Sequence, residues 1–308
     1  MSVMARTLPL VLFLSMSGGV ARADIRTAFS GWVQAEGAPL KHDGGRAQPN
    51  GMFDGSLQLK AFDVSATGIE YGFYGAQGSA RPRETAAYLY AQAGWGRIQL
   101  GDAPGAVAQV LPRAARVGLG QVDGDQGFYG YAPARLAPLR LDDDASTRIS
   151  YVSPAFVGVQ LAASFAPRLG TYAITPRGGR LARPQGLRDL GEIAVNGTRT
   201  LGSVELKLGA GYAHAVEHDG WAVGAEATWG AWSLAGGLTD DTKVAPNVGL
   251  TWSGSAVKLG TSWARDLNGR RVVAIGADWA VRPWLNLLAD AVDQRERSLL
   301  LLAARGSF

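Results

Sequence analysis

The chain has 308 residues, with 42 Gly, 9 Trp, 3 His and no Cys. Lack of Cys excludes a disulfide framework, a thiolate metal site and a Cys nucleophile. Charged residues are only 18% and apolar residues 47%, too apolar for a disordered chain. The formal charge of +4 carries no basic block, so nucleic acid is not an expected partner.

The first segment, Met1 to Ala23, reads as a secretory leader. Arg6 supplies the positive end, Leu8 to Leu14 the short apolar run, and Ala21-Arg22-Ala23 the small-x-small cleavage site. The run is far shorter than the ~20 apolar residues that cross a bilayer. Cleavage after Ala23 leaves 285 residues, 24–308, as one unit. No later stretch of 18 apolar residues exists, so an exported product is either soluble or a barrel.

The rest of the chain alternates with period two. Phe53, Leu57 and Leu59 share one strand face; Asp54, Ser56, Gln58 and Lys60 share the other. Val204 to Leu208 and Val257 to Trp263 repeat the pattern. About sixteen such segments begin near residues 24, 52, 68, 85, 96, 147, 158, 188, 203, 220, 231, 246, 256, 270, 284 and 297. The length would also fit twelve longer strands, and the stretch 168–187 could absorb one.

The connections alternate in length. Very short ones fall near 64–67, Gly94-Trp95, 154–157, 197–202, Gly230-Ala231, 253–255 and 281–283. The others are generally longer. A soluble sandwich has no reason to sort its loops this way, whereas a membrane barrel has tight turns at one end and long loops at the other. Asn196-Gly197 is read as one of the turns.

Alternation then assigns an aqueous interior. Asp54, Gln58, Lys60, Glu70, Arg97, Gln99, Arg148, Gln160, Glu192, Glu205, Lys207, Glu226, Lys258 and Asp278 point inward. Leu57, Leu59, Ile98, Leu100, Leu161, Leu206, Leu208, Leu259 and Ile275 point to lipid. Trp221 and Trp229 sit near opposite ends of one strand, and Trp229/Trp232 and Trp279/Trp284 flank two turns. Aromatic residues at strand ends suit the interfacial girdles of a barrel. Strand glycines such as Gly209, Gly211, Gly224, Gly236 and Gly237 suggest close packing beside aromatics and strong curvature.

The connection 102–147 is too long to be an ordinary loop. It carries Asp102, Asp123, Asp125, Asp142, Asp143 and Asp144 against Arg113, Arg116, Arg135 and Arg140. Such a loop either stays outside or folds inward and narrows the lumen. In the second case acidic loop residues face basic wall residues across the narrowing, and the candidates are Asp123 and Asp125 on the loop and Lys60, Arg97 and Arg148 on the wall. Opposed charges would set a transverse field that favours polar solutes and biases ion choice.

Enzyme signatures are missing: there is no Gly-x-Ser-x-Gly elbow and no Gly-Lys phosphate loop. His42, His214 and His218 fall in expected loops, and the His-x3-His spacing carries little weight off a helix. No catalytic residue, metal ligand or cofactor is expected, and Asp142-Asp143-Asp144 has no fixed calcium-ligand spacing.

The run Arg148 to Phe165, with its Ser153-Pro154-Ala155-Phe156 turn, and Gly101-Asp102 ahead of the long loop resemble the general porins of Gram-negative outer membranes. A terminal aromatic, Phe308, also suits such barrels, although Gly306 departs from the usual pattern. The resemblance implies sixteen antiparallel transmembrane strands, a third loop folded into the pore, a homotrimer, and passive diffusion of small hydrophilic solutes and ions across the outer membrane. A substrate-selective channel and a closed surface-binding barrel remain the alternatives.

Overall fold

A computed structural model of the chain describes residues 25–42, 51–78, 86–114, 117–119, 146–168, 172–174, 180–182, 188–216, 218–240, 244–265, 271–294 and 297–308. The predicted leader lies outside them. So do Asp123, Asp125 and the acidic run 142–144.

Alternating sequence produces strands almost throughout. The first seven are β1 (Arg26–His42), β2 (Gly51–Val64), β3 (Glu70–Gly78), β4 (Ala86–Ala93), β5 (Gly96–Ala103), β6 (Ser146–Val152) and β7 (Val159–Arg168). A small hairpin follows, β8 (Tyr172–Ile174) with β9 (Arg180–Ala182). Then come β10 (Arg188–Leu201), β11 (Val204–Ala215), β12 (His218–Trp229), β13 (Trp232–Asp240) and β14 (Ala245–Ser253). The chain continues through β15 (Val257–Arg265), β16 (Arg271–Arg282), β17 (Leu285–Gln294) and β18 (Arg297–Ser307). One short helix, α1 (Ala106–Val110), lies in the long connection after β5.

Among the described residues, sixteen strands close a single antiparallel barrel, and β8 and β9 stand apart as their own sheet. The described residues of the stretch 168–187 beyond Arg168, in β8 and β9, lie outside the barrel sheet. Closure comes from β1 pairing with β18, with Trp32 opposite Ser307 and Gln34 opposite Arg305. Every barrel strand thus has two neighbours, and the barrel leaves no edge to face hydrocarbon unpaired.

One side-chain parity runs round the ring. Gln99 pairs with Ser150, Lys207 with Glu226, and Lys258 with Asp278, so polar positions stay in register on the inner face. The outer face bears exposed apolar residues: Leu100 is 56% exposed, Leu208 61% and Ile275 60%. Large apolar side chains face outward because the surrounding medium is hydrocarbon. Trp229, Trp232 and Trp252 are direct cross-strand neighbours beside the short turns, while Trp221 lies at the other end of β12. These tryptophans lie near the ends of their strands, where the girdles are expected.

The short turns match the expected end, with one exception. Asn196-Gly197 is not a turn: β10 runs through it to Leu201, and the reversal occurs at Gly202-Ser203. Gly202 has φ +60° and Gly230, in the next tight turn but one, has φ +55°. Positive φ in a two-residue turn matches the twist of the flanking strands. The three histidines also differ from expectation: His42 ends β1, His214 is in β11 and His218 opens β12. No cluster of metal-ligating side chains occurs among the described residues.

Candidate functional site: the lumen and its inner loop

The described residues of the connection after β5, 104–114 and 117–119, run along the inner wall of the barrel. Ala106, Val107 and Val110 of α1 are buried against Ala162, Ala166, Leu190, Ala194, Ala213 and Ala222 of the wall. Further along, Ala114 and Leu119 pack with Val272, Leu288, Val292, Leu299 and Leu301. Those wall residues face inward yet are apolar, because the loop rather than water covers them. Burial of this kind favours the docked loop by ~25 cal/mol per Å² of apolar surface removed from water.

Space for the loop is made by glycines. A Cβ on Gly211 would lie 2.8 Å from Val107, one on Gly209 2.7 Å from Pro112 Cδ, and one on Gly224 2.1 Å from the Pro112 carbonyl. A Cβ on Gly249 would meet Ala114 at 2.9 Å. These inward glycines on β11, β12 and β14 form a track in which the loop lies. From sequence, Gly209, Gly211 and Gly224 suggest close packing beside aromatics and strong curvature. Their neighbour is instead the loop, which no local pattern announces.

Four wall side chains, Glu192, Ser164, Asn196 and Asp290, hydrogen-bond the loop main chain, and Ser164 Oγ shares the Ala106 N–H with Glu192 at 3.1 Å. Glu192 Oε2 accepts the Ala106 backbone N–H at 2.8 Å, the Ser164 hydroxyl at 2.6 Å and Arg148 Nη1 at 2.9 Å. Ala106 is the first residue of α1, whose N-cap Gly105 has no side chain to offer, so Glu192 satisfies a helix N–H from across the wall. Asn196 Nδ2 donates to the Val110 carbonyl at 2.7 Å at the other end of the helix. Asp290 Oδ2 accepts the Leu119 N–H at 3.0 Å on the far side of the lumen. Gly118 at φ +73° lets the chain pass there, since a Cβ would fall 2.2 Å from Asp290 Oδ1.

Of the wall residues singled out from the sequence, Arg148 is fully buried with Glu192, both side chains being 0% exposed. It lies behind α1 as part of the fastening. Lys60 and Arg97 line the open lumen instead. Lys60 Nζ sits 2.8 Å from Glu70 Oε1 and 4.4 Å above the Phe62 ring. Tyr90 also donates to Glu70 Oε1, at 2.8 Å. Arg97 donates to the Tyr88 hydroxyl at 3.2 Å and stacks 5.2 Å from the Tyr90 ring centre. The two cations therefore stand on one aromatic wall formed by β2 to β5, separated from Arg148.

The end of the lumen near the short turns is polar around much of its girth. Ser233 donates to Glu226 at 2.9 Å, Asn286 to Asp278 at 2.7 Å, and Arg305 to Gln34 at 2.9 Å. Arg305 also lies 4.7 Å over Trp32. A loop pressed on small and apolar wall positions, above a rim of charges and amides, is the arrangement of a partly narrowed aqueous channel.

Comparison with known proteins agrees with that geometry. Residues 16–297 match the Gram-negative porin family. The chain belongs to that family. Among solved structures, a double mutant of Rh. blastica porin is similar with a TM-score of 0.63 at 12% identity, covering 92% of this chain and 100% of that one. A second Rh. blastica porin double mutant gives 0.63 at 13% over the same shares. A porin refined at 1.8 Å resolution gives 0.61 at 16%, again covering 92% and 100%. Among curated proteins no sequence matches. At such identities the structural likeness speaks to the fold, and the family match carries the function. This porin forms a general diffusion channel in the Gram-negative outer membrane, and it is not an enzyme.

Proposed function

We propose that the inner loop, expected over 102–147, sets the effective bore of the channel, and that the protein passes small hydrophilic solutes and ions by passive diffusion through the space that remains. The fastening of the loop main chain by Glu192, Asn196 and Asp290 carries this reading. A loop held at three points on the wall narrows the lumen in a fixed way, whereas an untethered loop would flicker. Lys60 and Arg97 supply the basic wall, and Asp123 and Asp125 the facing acidic charge. Arg148 serves the pore by holding Glu192. The working unit is a homotrimer, as the family likeness suggests, and Met1 to Ala23 is removed on export.

Liposome swelling with a graded series of neutral sugars tests the diffusion reading. Rates should fall smoothly with solute size and show no saturation. A rate that saturates for one neutral sugar and ignores size would favour a substrate-selective channel. Cross-linking in mild detergent tests the trimer, and the N-terminal sequence of outer-membrane protein tests removal of the leader.

A further inference from the structure

Beneath α1, near the short turns, the lumen wall opens into a cleft of about 670 Å³. It is lined by Glu70, Gln92, Arg97, Gln109, Ser153 and Gln160, among others. This volume falls within the ~300–1,000 Å³ of small-molecule sites. The charges in it are not equivalent. Glu70 is already engaged by Lys60 and Tyr90. Arg97 has no carboxylate partner among the described residues; its hydrogen bond goes to the neutral hydroxyl of Tyr88. Its Nε is buried and has no partner among the described residues. The Tyr88 and Tyr90 rings, 5.8 and 5.2 Å away, hold the guanidinium in place.

We infer that this cleft is a weak, saturable subsite for small carboxylates that also carry hydroxyl or amide groups. Arg97 takes the carboxylate, because a planar guanidinium already fixed by stacking loses little freedom on forming charge-assisted hydrogen bonds. Gln92 is the direct cross-strand neighbour of Arg97. Gln109 and Gln160 line the same cleft from α1 and from β7, each held by an Nε2 hydrogen bond, to the Pro104 carbonyl at 2.8 Å and the Ser153 carbonyl at 3.1 Å, which leaves further amide hydrogen-bonding groups for hydroxyl and amide groups on a solute. The cleft opens to the lumen, which suits binding loose enough for release during transport. This inference rests on the channel reading and adds a solute class to it.

The test uses the purified full-length porin in planar bilayers, with gluconate as the carboxylate probe and glucose as its neutral counterpart. Gluconate should give current noise that saturates with concentration, and glucose should give far less. Arg97→Gln should weaken the apparent gluconate association by about tenfold or more. Gln92→Ala should weaken it by a smaller factor, and it provides a second variant should Arg97→Gln fail to give a heat-modifiable, folded band. Equal responses to gluconate and glucose would overturn the proposal, as would gluconate association unchanged in the folded Arg97→Gln or Gln92→Ala protein. Failure of the wild-type protein to give any channel steps in simple salt would instead count against the channel reading.

Discussion

The Glu192 carboxylate and the Ala106 backbone N–H lie 86 positions apart in sequence and 2.8 Å apart in space. That contact ties the inner loop to β10, three strands round the wall from β5. Because Arg148 is paired with the same oxygen in a fully buried site, loop position and wall electrostatics are coupled through one side chain. Removing one member of a buried ion pair costs about 3–5 kcal/mol, mostly for the charge left behind. Glu192→Ala should therefore give a looser loop, with larger and noisier single-channel steps and a lower unfolding midpoint. Replacing Glu192 and Arg148 together by Met should recover part of the midpoint but not the quiet steps. Steps of wild-type size and noise in Glu192→Ala would show that the loop is held without this contact.

The glycine track predicts a steric effect separate from charge. In Gly224→Val the new side chain meets the Pro112 carbonyl, and overpacking of this sort costs about 1–3 kcal/mol. The loop should shift from the wall while the barrel still closes. Conductance is the sensitive reading, and a heat-modifiable band reports the barrel. Gly191→Ala, where a Cβ would have nothing within 4 Å and the backbone is not at positive φ, should leave conductance alone.

The outer face tests which medium surrounds the barrel. Leu208 is 61% exposed on the outer side of β11. Leu208→Arg should cost about 2–4 kcal/mol if the site lies near the membrane midplane. Glu205→Arg, on the inner face of the same strand, should cost much less. Urea titration in lipid vesicles compares the two, and equal losses would contradict the assignment of faces.

Ion preference tests the proposed field across the bore. Asp123→Asn combined with Asp125→Asn should move the reversal potential in a salt gradient toward anions. Arg97→Gln should move it toward cations. A potential unchanged by the double substitution would remove those two aspartates from the narrowing.

Much of the architecture was legible because period two survives in the sequence wherever one side of the wall is wet and the other is in lipid. All sixteen barrel strands begin within a few residues of their expected starts. Legibility ends where the loop replaces water. Leu299 and Leu301 face inward although they are apolar, since Leu119 packs over them. Asn196 read as a turn residue because its local signal is strong, yet its amide serves the Val110 carbonyl from the middle of a strand. Glu192 was placed inward correctly, but nothing nearby in sequence announces its bond to Ala106. Asp290 was missed for the same reason. Arg148 had the right parity for a pore-lining charge; parity gives the face and is silent about what lies over it.

The ladder between the first and last barrel strands has a consequence for biogenesis. Gly31 and Phe308 exchange both main-chain hydrogen bonds, each 3.0 Å. A polypeptide still lacking β18 would therefore hold two raw margins, one on β1 and one on β17, with no partner inside hydrocarbon. The ring therefore seals only once β18 is present to pair with both β1 and β17.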